Sequence, residues 1–137
     1  MALLLDTGAV YAGADEEDAW HGRMQAFLQS AREKILLPST VVTKSCFVLR
    51  ARLGPRAEQA FLMSVAQGEA ELVPFEPEDA QRTAELLRQY ETARLDFVDA
   101  SVVAIAERLG ITKVATTDRR DFSIVRPKHC ERLELVP

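Results

Sequence analysis

The chain has 137 residues, 47% of them hydrophobic, and 17 Lys plus Arg against 21 Asp plus Glu give a formal net charge of -4. That length and apolar content suffice for one compact domain over residues 1–137 without disulfide or metal staples. No apolar run approaches the roughly 18 residues of a membrane span, and the opening Leu3-Leu4-Leu5 meets Asp6 too early for a signal segment, so a soluble, cytoplasmic protein with no membrane partner is expected.

Residues 2–6 read as the first strand. From Asp18 to about Ser30, Ala19, Trp20, Met24, Phe27 and Leu28 recur at helical spacing, and the longer stretch 9–30 offers apolar residues for helix contacts. Ile35 to Leu37 is a short strand closed by Pro38, and Ser39 or Thr40 caps a helix running to about Leu53, where Gly54-Pro55 stops it. A helix over 56–67 ends at Gly68, and 71–74 is a strand. Helices follow over 77–91 and 97–109, the second stopped by Gly110. Then come a strand over 113–116, a tight turn or short helix over 118–122, and a final strand over 133–136. Strands alternating with helices predict an α/β fold, a central parallel sheet in three α/β/α layers, with ligands at the carboxyl ends of the strands.

Three carboxylates sit in costly places. Asp6 closes an apolar strand, Asp99 lies inside Phe97-Val98-Asp99-Ala100-Ser101-Val102-Val103, and Asp118 follows Val114-Ala115-Thr116-Thr117. An isolated buried carboxylate costs several kcal/mol of desolvation, so three from separate segments point to a shared compensating charge, most simply a divalent metal. Each has a plainer reading: an Asx turn at Asp6, a helix cap at Asp99, turn chemistry at Asp118. Val98, Val102, Ile105 and Leu109 form one apolar stripe and Asp99, Val103 and Ala106 the next, which turns Asp99 inward. Asp96, one residue before that helix, reads first as its cap.

The run Leu3-Leu4-Leu5-Asp6-Thr7, the segment Phe97 to Arg108 and Thr116-Thr117-Asp118-Arg119-Arg120-Asp121-Phe122 together resemble the three acidic motifs of PIN-domain ribonucleases. Val125-Arg126-Pro127-Lys128-His129 and the ending Leu135-Val136-Pro137 are similar to the VapC-type toxin branch, and the likeness covers the whole chain. It implies a PIN-like fold and an endoribonuclease toxin using Mg²⁺ or Mn²⁺ held by Asp6, Asp99 and Asp118. Asp121 and Asp96 are further candidate ligands, and Thr7 and Thr116 supporting residues. Hard oxygen ligands suit such ions, which can activate water for attack on a phosphodiester without a protein nucleophile. The resemblance also implies an RNA substrate, a cognate antitoxin whose tail covers the acidic groove, and a homodimer built through helices.

At one position the chain departs from the pattern. Aligned through Leu37 to Thr43 and Cys46 to Leu49, the family's remaining acid, a Glu, falls on Lys44. This changes the local charge by two units and brings an ammonium toward the place of a dication. Unit charges 4 Å apart interact by about 4 kcal/mol at an effective dielectric of 20, so a weakened or inactive site is expected. Lys44 can also snorkel to solvent or neutralise Asp6, Asp99 and Asp118 in place of metal. Glu and Lys codons differ by one base, so a single change suffices to disable a toxic nuclease. The alternative function is a catalytically inactive PIN-like module that binds RNA or an antitoxin.

Thirteen of the seventeen cations are Arg, the better fork for phosphate. Arg50, Arg119 and Arg120 are candidate RNA phosphate contacts, with solvated helix ends as the plain alternative, and an unpaired RNA segment is the expected form of substrate. Trp20, Phe27 and Phe47 read as core. His21 and His129 read as surface or hydrogen-bonded residues, and Cys46 and Cys130, without CxxC spacing, as reduced structural thiols. A phosphate loop, a GxSxG elbow and an HExxH pair are absent, and a receiver domain would need paired acids where Asp6 stands alone.

Overall fold

Leu3 and Leu4 are fully buried because β1 (Ala2–Leu5) is the middle strand of five. The computed structural model describes residues 1–137. β1 lies between β2 (Lys34–Pro38) and β4 (Lys113–Ala115), with β3 (Glu71–Val73) beyond β2 and β5 (Glu134–Val136) beyond β4. All neighbouring strands run parallel. A central parallel strand is covered on both faces, which explains its unbroken apolar run.

The strands are joined by α1 (Thr7–Ala14) and α2 (His21–Ser30), α3 (Ser39–Leu53) and α4 (Pro55–Ala66), α5 (Pro77–Gln89) and α6 (Phe97–Leu109), and α7 (Arg120–Ile124), in that order. This is the three-layer α/β/α arrangement expected. The chain builds outward from β1 through β2 to β3, then returns to place β4 on the other side of β1. That reversal is the topological switch point, where α/β sheets open a crevice at the carboxyl ends of their strands. The Asp6 N–H donates to the Ala115 carbonyl at 3.0 Å, carrying the pairing one residue past β1. Asp6 and the turn after β4 therefore meet at the floor of the crevice.

The sequence pattern misplaces the first helices. The plainer reading of Asp6, an Asx turn, does not hold, since α1 begins at Thr7, and the helical run expected over 9–30 is broken between Asp15 and Trp20. In α1 the apolar and small residues Thr7, Ala9 and Ala12 are buried while Gly8 and Gly13 dilute helix propensity, so no periodic signal stands out. At the break, the Asp15 and Asp18 carboxylates accept from the Glu17 and Trp20 amides, the short-range chemistry that favours turns. α5 ends at Gln89, two residues short of expectation.

Every residue from Val98 to Ala106 is buried, so α6 is a core helix rather than a striped one. Two ion pairs join it to α5: Arg82 to Glu107, with bonds of 2.7 and 3.1 Å, and Arg108 to Asp79, which also closes the capping box of α5. Phe47, expected in the core, is 73% exposed on α3, because helical spacing alone does not say which side of a helix faces the sheet. Trp20 and Phe27 are partly buried against the core as expected.

Candidate metal centre

Asp6 delivers its carboxylate into the crevice from the end of β1. The group is 3% exposed, its Oδ2 accepts from the Thr116 hydroxyl at 2.9 Å, and its Oδ1 is buried with no hydrogen-bond partner. An unmatched buried carboxylate oxygen is costly and asks for a cationic or donor ligand. Burial pushes the Asp6 carboxyl above its ordinary value; the Thr116 hydroxyl and the nearby Lys44 charge oppose the shift, and Asp118 adds to it. The Thr116 oxygen also accepts the Asp118 amide at 3.1 Å, so one hydroxyl fixes both the strand-end acid and the turn after β4. Thr7 is buried too, with its own hydroxyl unpartnered.

The second acid arrives on the first turn of α6. Asp96 caps that helix, its Oδ2 accepting the Val98 and Asp99 amides at 3.1 and 3.4 Å, which frees Asp99 from capping. Asp99 is 4% exposed. Its carboxyl is raised to about 9, first by burial, then by the charge of Asp6, a hydrogen bond with Asp121 and the charge of Asp96, against the pull of Lys44. Two carboxyls that share a hydrogen bond must share a proton when no cation is present.

Asp118 and Asp121 come from the turn after β4 and the start of α7. Carboxylate oxygens of Asp99, Asp118 and Asp121 all lie within 4.8 Å of one another. These are three hard oxygen donors from α6, the turn after β4 and α7, one exposed and two buried; Asp6, expected among the ligands, lies outside this group and interacts with Asp99 and Asp118 through its charge. The donor set and its surplus negative charge fit an oxygen-seeking divalent cation.

Gly8 also shapes the crevice, and sequence reasoning passed over it. A Cβ built there would lie 2.5 Å from Thr117 Oγ1 and 3.0 Å from the Thr117 amide nitrogen, so only glycine lets α1 approach the Thr116-Thr117 turn. The signal available in the sequence is the glycine two residues after a strand-end Asp.

Lys44 stands at the rim. Its Nζ donates to Asp96 Oδ2 at 3.0 Å, both side chains being about two-fifths exposed, and it makes no ion pair with Asp6, Asp99 or Asp118. Direct neutralisation of those three acids is therefore not what Lys44 does. Burial presses its ammonium down, but the bond to Asp96 and the charges of Asp99 and Asp6 outweigh that and raise it.

The remaining candidates divide by place. Arg119 and Arg120 are exposed beside Asp118, whose Oδ1 accepts the Arg120 amide at 3.2 Å. Arg50 lies in the last turn of α3, paired with Glu58 at 3.4 Å and about 9 Å along the helix from Lys44. The two histidines are structural: His21 Nδ1 bonds the Ala12 carbonyl and His129 Nε2 the Ile111 carbonyl. Both cysteines are free.

Comparison with known proteins agrees with this geometry. The family model described as "PIN domain" matches residues 3–126. The chain is 27% identical over 135 residues to ribonuclease VapC26 of Mycobacterium tuberculosis, covering 98% of this chain and all of that protein. Among solved structures it is similar to M. tuberculosis VapC20, a toxin that cleaves the sarcin-ricin loop, with a TM-score of 0.84 at 21% identity over 93% of this chain and 98% of that one. It is also similar to VapBC2 from Rickettsia felis bound to a promoter DNA fragment, with a TM-score of 0.70 at 15% identity over 98% of this chain and 97% of the other.

Proposed function

The chain belongs to the PIN-domain family, and from that premise we propose that it is a metal-dependent endoribonuclease toxin of the VapC type, weakened by Lys44. The reading rests on one observation above all: Asp99, Asp118 and Asp121 bring oxygens within 4.8 Å of one another at the sheet's switch point. Asp99, Asp118 and Asp121 would hold Mg²⁺ or Mn²⁺, with Asp6, whose charge is felt by Asp99 and which feels that of Asp118, as the further ligand that the sequence pattern names. When bound, such an ion lowers the pKa of a coordinated water and offsets charge on the leaving oxygen.

The protein's own groups do the rest. Thr116 orients Asp6 and the Asp118 turn, and Asp96 caps α6 so that Asp99 stays directed inward. The Thr7 backbone helps hold the Asp6 carboxylate ionised. Arg119 and Arg120 receive phosphates of single-stranded RNA next to Asp118, and Arg50 is a more distant contact. Lys44 raises the local positive potential and so opposes metal loading.

Residues 1–137 act as one unit in the cytoplasm, and no helix is long and apolar enough to cross a membrane. The partner is a cognate antitoxin whose tail lies across the acidic groove. An apolar cavity of about 540 Å³, bounded by Leu5, Val10, Leu28, Ile35 and Phe61 among others, opens beside α1 and supplies an adjoining surface for it. A homodimer is supported by Phe47, Leu53, Leu62 and Met63, which α3 and α4 leave exposed.

The test is RNA cleavage with added Mg²⁺ or Mn²⁺. Lys44→Glu is expected to gain metal-dependent cleavage that Asp99→Asn then abolishes. If neither substitution changes the activity of the chain, the assigned roles are wrong.

A further inference from the structure

Trp20 gathers two arginines from different parts of the chain. The indole sits where the α1–α2 connection enters α2, its amide held by Asp18 at 2.8 Å, and the neighbouring His21 is bonded to Ala12. The guanidinium carbon of Arg23, one turn into α2, lies 4.4 Å from the ring centre, and that of Arg119, from the turn after β4, lies 5.3 Å from it. Such distances place both cations in favourable contact with the ring's π-face. Arg119 also donates to the Pro137 carbonyl.

Both arginines are exposed and neither pairs with a side-chain carboxylate, although Arg119 gives one Nη2 donor to Pro137. Arg82 and Arg108, by contrast, are consumed by Glu107 and Asp79. One ring thus gathers two cations that come from separate parts of the chain. Arg23 keeps its donors for an anion, Arg119 keeps those not given to Pro137, and the residue before Arg119 in the chain is Asp118 of the acidic cluster.

We propose that Trp20, Arg23 and Arg119 form a phosphate clamp that grips the backbone of single-stranded RNA one step away from the scissile position, with Trp20 as the positioning residue that holds the two guanidiniums together. The inference rests on the nuclease reading and extends it to two residues, Trp20 and Arg23, outside the acidic motifs. The chemistry is specific to a polyanion with regularly spaced phosphates: Arg presents a planar fork to each phosphate, and stacking fixes the fork before the ligand arrives. A strand whose phosphodiester reaches Asp118 must pass Arg119, and Arg23 extends the grip by one contact.

Trp20 is the chain's single tryptophan, so its fluorescence reports on this position alone. The experiment titrates the full chain with a 3′-fluorescein-labelled oligouridylate of about ten nucleotides in EDTA, where no cleavage occurs, and follows the Trp20 emission and the RNA anisotropy together. The two signals are expected to share one midpoint. Arg23→Ala and Arg119→Ala are each expected to weaken binding about threefold to tenfold and to flatten the log K against log salt slope by about 0.7, the value for one phosphate on a single strand. Trp20→Leu is expected to flatten that slope although it removes no charge, and Trp20→Phe to restore most of it; a purely structural role would leave the slope unmoved.

Binding seen by anisotropy with unchanged Trp20 emission and unchanged slopes in the Arg variants overturns the clamp and leaves the nuclease reading standing. An oligoglutamate of equal length that binds more tightly than the RNA assigns the surface to an acidic protein and also overturns the clamp. Failure of RNA to bind either this chain or Lys44→Glu overturns the nuclease reading itself, and the clamp with it.

Discussion

Lys44 donates to Asp96 across the mouth of the crevice, 3.0 Å from nitrogen to oxygen, and Asp96 is the carboxylate that caps α6 one turn ahead of Asp99. The ammonium is thus fixed at the rim by the same residue that aims the inward acid. Its field reaches Asp6 and Asp99, whose charges raise it in return. The pair is partly exposed, so its contribution to stability is modest; its repulsion of a dication that the same acids would hold is the larger consequence.

Asp99 is expected to destabilise the metal-free fold. A carboxyl raised to about 9 in the native state and ordinary in the unfolded one favours folding fully at low pH, and that contribution is lost as pH rises from about 4 through 9. Asp99→Asn supplies a neutral group of the same shape, so at pH 8 in EDTA the variant is expected to be about 1–2 kcal/mol more stable, a rise of about 3–6 °C in Tm. A thermal melt at pH 5 and pH 8 checks this: the gain should be larger at pH 8, and a loss of stability at both would count against a crowded acidic cluster.

Gly8→Ala is expected to destabilise by about 1–2 kcal/mol. The Thr117 hydroxyl, 2.5 Å from the added carbon, can rotate away, but the Thr117 amide nitrogen at 3.0 Å cannot. Urea denaturation measures the loss. Thr117→Ala should relieve little of it, because the backbone contact remains; full rescue would show that only the hydroxyl stands in the way.

The Arg82–Glu107 pair ties α5 to α6 with side chains only 15% and 9% exposed. Burial pushes the Glu107 carboxyl up, but the Arg82 guanidinium and the Lys128 amide outweigh it and hold it below its ordinary value. A depressed carboxylate contributes stability at neutral pH that is lost as pH falls through the acid range. Glu107→Gln is expected to cost about 2 kcal/mol at pH 7 and much less at pH 3. Equal losses at both pH values in guanidinium titrations would mean that packing, not charge, is what the substitution removes.

If the proposed homodimer forms through α3 and α4, Phe47→Glu is expected to convert it to a monomer in light scattering after size exclusion, since Phe47 is 73% exposed in a group with Leu53, Leu62 and Met63. An unchanged mass would place the dimer elsewhere or exclude it.

The strands, the layers and the acids were legible because they follow from strong local rules. Apolar runs ending in Asp6 and in Thr116-Thr117-Asp118 mark parallel strands that deliver polar groups at their ends, and Gly54 and Gly110 stop helices where expected. α1 was hidden because glycine and alanine carry little periodic signal. The stripe that pointed Asp99 inward reached the right result by an incomplete route: α6 is buried all round, and it is the cap at Asp96 that leaves Asp99 free. Gly8 and the pairing of Lys44 with Asp96 were illegible, since both depend on approaches between segments far apart in sequence. So was the meeting of Arg119 with Trp20, which periodicity assigns simply to core.

The central claim is that Asp99, Asp118 and Asp121 form a divalent-cation site that Lys44 weakens. Calorimetric titration with Mn²⁺ measures it directly. Lys44→Glu is expected to bind at least about tenfold more tightly than the chain itself, a difference of roughly 1.4 kcal/mol, and adding Asp99→Asn should abolish the gain. Equal affinity in the chain and in Lys44→Glu, or a gain that survives Asp99→Asn, would contradict it.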